Sequence, residues 1–567
     1  MMMTMTMMKV KMIELKYFFF QLKMFAPQNQ QPNVIDAMSG SMEDWYNAVD
    51  EAVKKSEVIP GNYEYTVATS YGNVGKIAED ASTYFDVSCD RFKVISLDNS
   101  FITIEQDIKL TIPKQSDLIF NKYYIGYKYA ADCIDQYRIY SNTDLVQTQN
   151  HARYEWFMIY NSVSDEAKNN SDLFATLHKI RNMNPLVPGV YVDLSAFTAQ
   201  HTATVHLKNR IPLSAFLTLF NLRFFPNWSG KLSIEVYPSY KNLVIAPVIP
   251  EEEGTIAEYD TKFKPLSEHA ATCDLTHTNL GFRNVNQSMG NVLKDGTPYA
   301  VTAQTFTCNG DGCYADKCKI RLATYLLKMD VFNALAAKYI QIPLIFPIQT
   351  IQIKDFTDPL PTAEGHFTTA NTLSLKHCDA LFTVFRDGEY ARTCFDNPFI
   401  TFRFNVDGKF YPREDNRTFN DERFLNNTMD ALNINNSLLT SLSKDLRTSL
   451  QPFTEYHKAG NADADLTKAD TLHRHWALGD YSNFLIGIPF CDSEDFMGGI
   501  STTGTVQIEL SGERTKPTAA YNLRPYRATA ICFEDALLKI RAVKPDGRSQ
   551  IEITNADITQ IAMGLAT

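Results

Sequence analysis

Three groups of residues in this 567-residue sequence have types and spacings that could do chemistry. The stretch CNGDGCYADKC sets Cys308, Cys313 and Cys318 at five-residue intervals, with His269, Cys273 and His277 upstream. Thiolate and imidazole suit tetrahedral zinc, but such sites usually anchor on a close CxxC pair, which this spacing lacks. Buried or loop thiols explain these cysteines more simply. NADADLTKADTLHRHW offers Asp463, Asp465, His473 and His475, hard and borderline ligands that would share one side of an extended chain. Gly, Ala, Asp and Thr surround them, so the stretch reads as a surface loop where polar residues need no special reason. The aromatic cluster Tyr154, Trp156, Phe157 and Tyr160 could stack on sugar rings, but it equally suits a core or a contact between subunits.

No catalytic signature joins these groups. GNVGK at 72–76 lacks the spacing and the following Ser or Thr of a phosphate loop, and GxSxG, HExxH and GxGxxG do not occur. A pair of carboxylates for glycoside cleavage cannot be picked out, because spacing does not show which of 65 acids converge. The expectation is no catalytic residue, no cofactor and no bound metal. Trp156, Phe157 and Tyr160 are the expected subunit-contact residues.

The elements that must position such residues are mostly strands. Residues 101–113, FITIEQDIKLTIP, put Ile102, Ile104, Ile108, Leu110 and Ile112 on one side and polar residues on the other, the period-two pattern of a half-buried strand. Similar signals recur at 189–197, 202–213, 230–238, 241–249, 338–353, 380–390, 399–408, 483–490, 504–510 and 537–543. Helical character is expected at 42–56, over 152–182 and over 420–449. Residues 250–265, charged and weakly patterned, read as a linker.

Composition sets the frame. The chain is long enough for two or more domains, and 36 Phe with 28 Tyr favour β-rich packing. A net charge of −11 argues against a surface that grips nucleic acid everywhere, though it leaves room for one small basic face. Ten cysteines without framework spacing point to free thiols in a reducing compartment. The Met-rich opening MMMTMTMMKVKMIELKYFFFQLKMF carries too many lysines for a membrane span. It reads as a mobile arm, or as sequence upstream of a start at Met24, Met38 or Met42. No membrane span is expected elsewhere.

The two halves repeat. Leu232, Ile234 and Val236 alternate with polar residues as Val506, Ile508 and Leu510 do 274 positions later. Arg138 in YRIYSNTDLV matches Arg403 in FRFNVDGKFY, and Glu155 in the following helical stretch matches Glu422. An ordered set of matches points to duplicated β-domains, and many short strands with one helical excursion each suit jelly rolls better than propellers.

Residues 134–168 (IDQYRIYSNTDLVQTQNHARYEWFMIYNSVSDEAK), 173–195 and 224–238 resemble the double jelly-roll major capsid proteins of the adenovirus-like lineage. They are most like those of Polinton/Maverick elements, adintoviruses and virophages. The resemblance implies an all-β chain of two tandem eight-stranded jelly rolls with short helical insertions. Its expected parts are an arm and short helix at 1–62, a first roll at 63–249, a linker at 250–300 and a second roll at 301–567. It further implies a structural shell subunit that forms homotrimeric, pseudo-hexagonal capsomers of an icosahedral virion. The partners would be further copies, a separate penton protein at the vertices, and double-stranded DNA packaged inside the shell without sequence-specific binding. The rival reading is a carbohydrate-binding or carbohydrate-active β-sandwich protein, for which the aromatic cluster would be the sugar platform.

Overall fold

A computed structural model describes residues 46–47, 49, 51, 58–69, 76–88, 93–112, 122–162, 189–193, 201–216, 223–226, 231–247, 283–287, 302–309, 318–341, 344–418, 421–432, 482–491, 498–516, 523–541 and 550–554. In chain order the first strands are β1 (Val58–Thr69), β2 (Lys76–Ile77), β3 (Thr83–Val87), β4 (Lys93–Ile112), β5 (Lys122–Gly126), β6 (Ile134–Ser141) and β7 (Asp144–Gln149). Helix α1 (Ala152–Ser162) follows, then β8 (Gly189–Asp193), β9 (His201–Pro212), β10 (Phe224–Pro226), β11 (Leu232–Pro238), β12 (Val244–Pro247), β13 (Arg283–Asn284), β14 (Thr302–Asn309) and β15 (Lys319–Leu327). Helix α2 (Met329–Gln341) leads to β16 (Leu344–Asp355), β17 (Gly365–Leu373), β18 (Cys378–Asp387), β19 (Ile400–Val406) and β20 (Lys409–Arg417). After α3 (Glu422–Ala431) come β21 (Ile486–Pro489), β22 (Val506–Arg514), β23 (Tyr526–Arg541) and β24 (Gln550–Thr554).

The second half is a jelly roll by its strand order. One sheet runs β16-β23-β18-β21, with β24 added beside β23, and the other runs β17-β22-β19-β20. Consecutive strands from β16 to β19 therefore alternate between sheets, and their pairings are antiparallel. Period-two sequence explains the packing: in β19, Ile400, Phe402, Phe404 and Val406 are buried while Thr401, Arg403 and Asn405 are partly exposed. The β19–β20 hairpin closes on Asp407 and Gly408, both at positive φ, the backbone that a tight two-residue turn demands. Gly512 lets β22 approach β19, since a Cβ there would run into the Thr401 carbonyl oxygen.

The first half repeats this order. Sheet β3-β11-β6-β7 corresponds to β17-β22-β19-β20, and β13-β12-β5-β8 corresponds to β16-β23-β18-β21. The sequence matches fall on equivalent elements: β11 with β22, β6 with β19, and α1 with α3. The chain is thus a double jelly roll. In the first roll, the place of β16 is taken by the two-residue β13, which comes from later in the sequence.

A seven-stranded antiparallel sheet accompanies the first roll. The 20-residue β4 is its spine, bonded to β15 and β14 along one edge and to β10 and β9 along the other, with β1 and β2 outermost. Ile102, Ile104, Ile108 and Leu110 are fully buried on its inner face, as the alternation predicts. The expected second-roll segment 301–567 therefore begins with two strands, β14 and β15, that pair with β4; the eight strands of the second roll run from Leu344 to Arg541.

One other expectation meets a different outcome. Residues 338–341 close helix α2 instead of opening a strand, because the Ala-rich run before them favours helix until the chain reaches β16. Near 42–56 the described residues 46, 47, 49 and 51 are helical, with Tyr46 packed on Phe224 and Phe346. Among the described residues, no helix is long and apolar enough to cross a membrane.

Candidate functional site: the seam between the rolls

The densest polar geometry among the described residues lies where the two rolls meet. From the first roll come a 3-10 turn at Ala130–Cys133, Asp135 of β6, helix α1 and β13. From the second come residues 392–396 between β18 and β19, and Ser482 and Asn483 before β21.

Asn284 is the central bridge. Its Oδ1 accepts the backbone N–H groups of Arg392, Thr393 and Cys394 at 2.8, 3.0 and 3.2 Å. Its Nδ2 donates to Thr393 Oγ1 at 2.8 Å and to the carbonyls of Asn242 and Leu243. One buried amide thus satisfies backbone groups of both rolls, which would otherwise sit dry and unpaired. Next to it, Arg283 Nη1 donates to both carboxylate oxygens of Asp396, at 3.0 and 2.9 Å, with both side chains fully buried. Burial raises the Asp396 carboxyl above its usual range, and Arg283 pulls against that. The guanidinium cannot give up its proton, so the pair is a charged contact in a dry place.

Further along the seam, Arg392 Nη2 reaches Asp135 Oδ1 at 2.5 Å, and Arg153 Nη1 reaches the same oxygen at 3.3 Å. Burial would raise the Asp135 carboxyl, but these two guanidiniums hold it below the ordinary value. Lys128 Nζ, also buried, donates to Ser482 O, Ser482 Oγ and Asn483 Oδ1 at 3.0, 2.6 and 2.9 Å. The neighbouring Asp132 carboxyl is buried and pushed well above the carboxylate range by desolvation, against the pull of Lys128.

Helix α1 supplies the apolar half. Tyr154 stacks on Phe395 of the second roll at 5.8 Å, and Phe157 meets the same ring edge-on at 4.7 Å. Trp156 lies on Tyr137 and against Phe216, while Tyr160 packs on Tyr129. Glu155 ties the helix to its own roll, accepting from Tyr137 Oη at 2.8 Å and from Gln149.

Trp156, Phe157 and Tyr160, expected as subunit contacts, are 2, 1 and 2% exposed within a single chain. Their area is spent on the first roll's core and on the seam, which leaves no ring face for a sugar or a second copy. Of the residues whose types could suit zinc, Cys318 is a buried thiol just before β15, and the backbone of Cys308 lies in β14. Cys313, His269, Cys273 and His277 lie outside the described residues, as do Asp463, Asp465, His473 and His475. No group of three His, Cys, Asp or Glu able to hold a metal occurs among the described residues.

Sequence reasoning missed the seam partners because Asn284, Arg283 and Arg392 belong to short, weakly patterned stretches. It also missed two exposed apolar residues. Leu145 (55% exposed) and Phe410 (45%) are each the second residue of the outermost strand of their sheets, β7 and β20. They occupy equivalent places in the two rolls, opposite Tyr140 and Asn405.

The strand order and the seam define a class: a double jelly-roll protein whose rolls form one unit. No family profile and no curated protein matches the chain. Among solved structures it is similar to the mavirus major capsid protein, at 10% identity over 89% of this chain and 92% of that one, with a TM-score of 0.47. It is also similar to a chain of the cryo-EM structure of the Sputnik virophage, at 10% identity over 89 and 91% and a TM-score of 0.39. The Faustovirus major capsid protein matches at 9% identity over 88 and 98%, with a TM-score of 0.35.

Proposed function

We propose that this chain is a major capsid protein, a structural and non-enzymatic subunit of an icosahedral virion assembled inside the infected cell. The carrying observation is that one chain holds two rolls of the same strand order, fastened by a buried seam. Two like units joined rigidly offer nearly repeated outer surfaces, so three copies can close a ring of six units through heterologous contacts. The sequence resemblance at 134–168, 173–195 and 224–238 points the same way. On this reading the capsomer is a homotrimer, its neighbours are further capsomers and a separate penton protein, and double-stranded DNA is packaged within. The equivalent outer residues Leu145 and Phe410 take the contact role between copies.

Light scattering on the purified chain tests this. A particle near three times the 64.3 kDa chain mass, with a hexagonal outline by negative stain, supports the reading. A stable monomer at micromolar concentration that binds glycans sinks it.

A further inference from the structure

The outer face of the seven-stranded sheet carries a charge opposite to that of the whole chain. On β4 the inner face buries Ile102, Ile104, Gln106, Ile108 and Leu110, while Phe101, Thr103, Glu105, Asp107 and Lys109 alternate with them on the other face. The register brings cations to this second face from both neighbours. Arg210 of β9 and Lys319 of β15 flank Thr103 from opposite sides, Lys208 lies beside Glu105, and Arg321 lies beside Phe101. The Phe101 ring is capped by both guanidiniums, Arg210 at 3.8 Å and Arg321 at 5.7 Å from its centroid. The two acids on the face are both engaged by His206, with Glu105 Oε1 at 2.6 Å from Nε2 and Asp107 Oδ1 at 2.5 Å from Nδ1. Lys109, Lys208, Lys319 and Arg321 make no ion pair among the described residues.

The result is five cations, Lys109, Lys208, Arg210, Lys319 and Arg321, on one face of a protein with a net charge of −11. Strand geometry spaces them by about 5 Å across strands and about 7 Å along them. A flat grid of this kind meets a row of phosphates by charge alone, with no groove or base edge read. The strip around Phe101 offers no apolar side chain to enter a bilayer, since that ring is 8% exposed beneath its guanidiniums.

We infer that the outer face of the β4 sheet binds the phosphodiester backbone of nucleic acid without sequence preference, and so forms the side of the subunit turned toward the packaged polymer. The orientation in this statement rests on the capsid reading; the binding does not.

Fluorescence anisotropy of full-length protein with labelled 30-base-pair duplexes of two unrelated sequences tests it across a salt series. Equal binding to both is expected, with log K falling linearly with log salt. The combined variant Lys109→Glu, Lys208→Glu, Lys319→Glu should weaken binding at least tenfold and flatten the salt slope by about 3, roughly one unit for each phosphate no longer neutralised. A matched reversal on β20, Lys409→Glu, Arg413→Glu, Arg417→Glu, should leave both unchanged. If the triple variant melts at a lower temperature, the exposed pair Lys109→Glu, Lys208→Glu is read instead, with a slope change of about 2. Unchanged binding in the β4-face variants, equal loss in the β20 variant, or capture of anionic phosphatidylserine vesicles in preference to duplex would overturn the inference. Light scattering on the same samples keeps the two claims apart: a trimer that ignores DNA removes only the face, and a monomer that binds DNA removes only the capsid reading.

Discussion

Helices α1 and α3 occupy the same place in their rolls, each after the outermost strand of its sheet, yet they are buried differently. Ten of the eleven residues of α1 are buried, because the first roll covers one side and Phe395 of the second roll covers another. In α3 only one side is covered: Phe424 and Thr428 face Phe402, Phe484 and β21, while Arg423 stays exposed and pairs with Glu414. An Asp421 cap that accepts from the Arg423 N–H begins α3 in the way a surface helix needs. Duplication therefore preserved the connection, and the seam consumed the outer surface of only one copy.

The sharpest way to break that asymmetry is at the dry ion pair. Arg283→Met should leave Asp396 buried and unpaired, lowering unfolding free energy by about 3–5 kcal/mol, while adding Asp396→Leu restores most of it. Urea midpoints at constant m-value decide this. A single variant within about 0.5 kcal/mol of the parent chain would mean the seam does not hold the rolls.

Asn284→Ala comes next, at about 2–4 kcal/mol, since it strands three backbone N–H groups of the second roll. Hydrogen exchange should rise at 392–394 and stay unchanged around α3; uniform exchange would reject the local account.

A pH test distinguishes the second roll's interior from the seam. Burial raises the Asp379 carboxyl to about 6, against its hydrogen bond with Asp535. The folded chain then keeps a proton that the unfolded chain releases near pH 4. The contribution of this group to stability is greatest below that value, falls by at most about 3 kcal/mol as pH rises to 6, and then levels. Asp379→Asn should remove this part of the slope, and a slope unchanged from the parent chain assigns it to other groups such as Asp98, whose carboxyl burial also raises to about 6.

Smallest in stability is the outer pair. Leu145→Asp and Phe410→Asp should each shift unfolding by less than about 0.5 kcal/mol, because both side chains are exposed. Each should nevertheless reduce the trimer fraction by light scattering. A reduction in one variant alone would show that the two rolls do not contribute equivalent contacts.

Much of the architecture was legible because period-two patterns survive in single strands. The alternation of 101–112 names the buried face of β4, and the matches Arg138 with Arg403 and Leu232 with Val506 fall on equivalent strands. The aromatics of α1 were legible as a cluster but not as to their partner. Nothing local in YEWFMIY distinguishes a ring packed on its own roll from one packed on another chain. The seam was invisible for the same reason: Asn284 and Arg392 are 108 residues apart, and neither belongs to a pattern.

The sequence by itself determined which residues turn inward along each strand and that the β-unit occurs twice, since both follow from local alternation and order. Tertiary structure alone decided that β13 completes the first roll from downstream, and that β14 and β15 pair with β4. It also decided that Trp156, Phe157 and Tyr160 lie inside one subunit and that scattered lysines and arginines gather on one sheet face. These depend on which distant segments come into register, and a hydrogen-bonded ladder forms between whichever edges the packed core brings together.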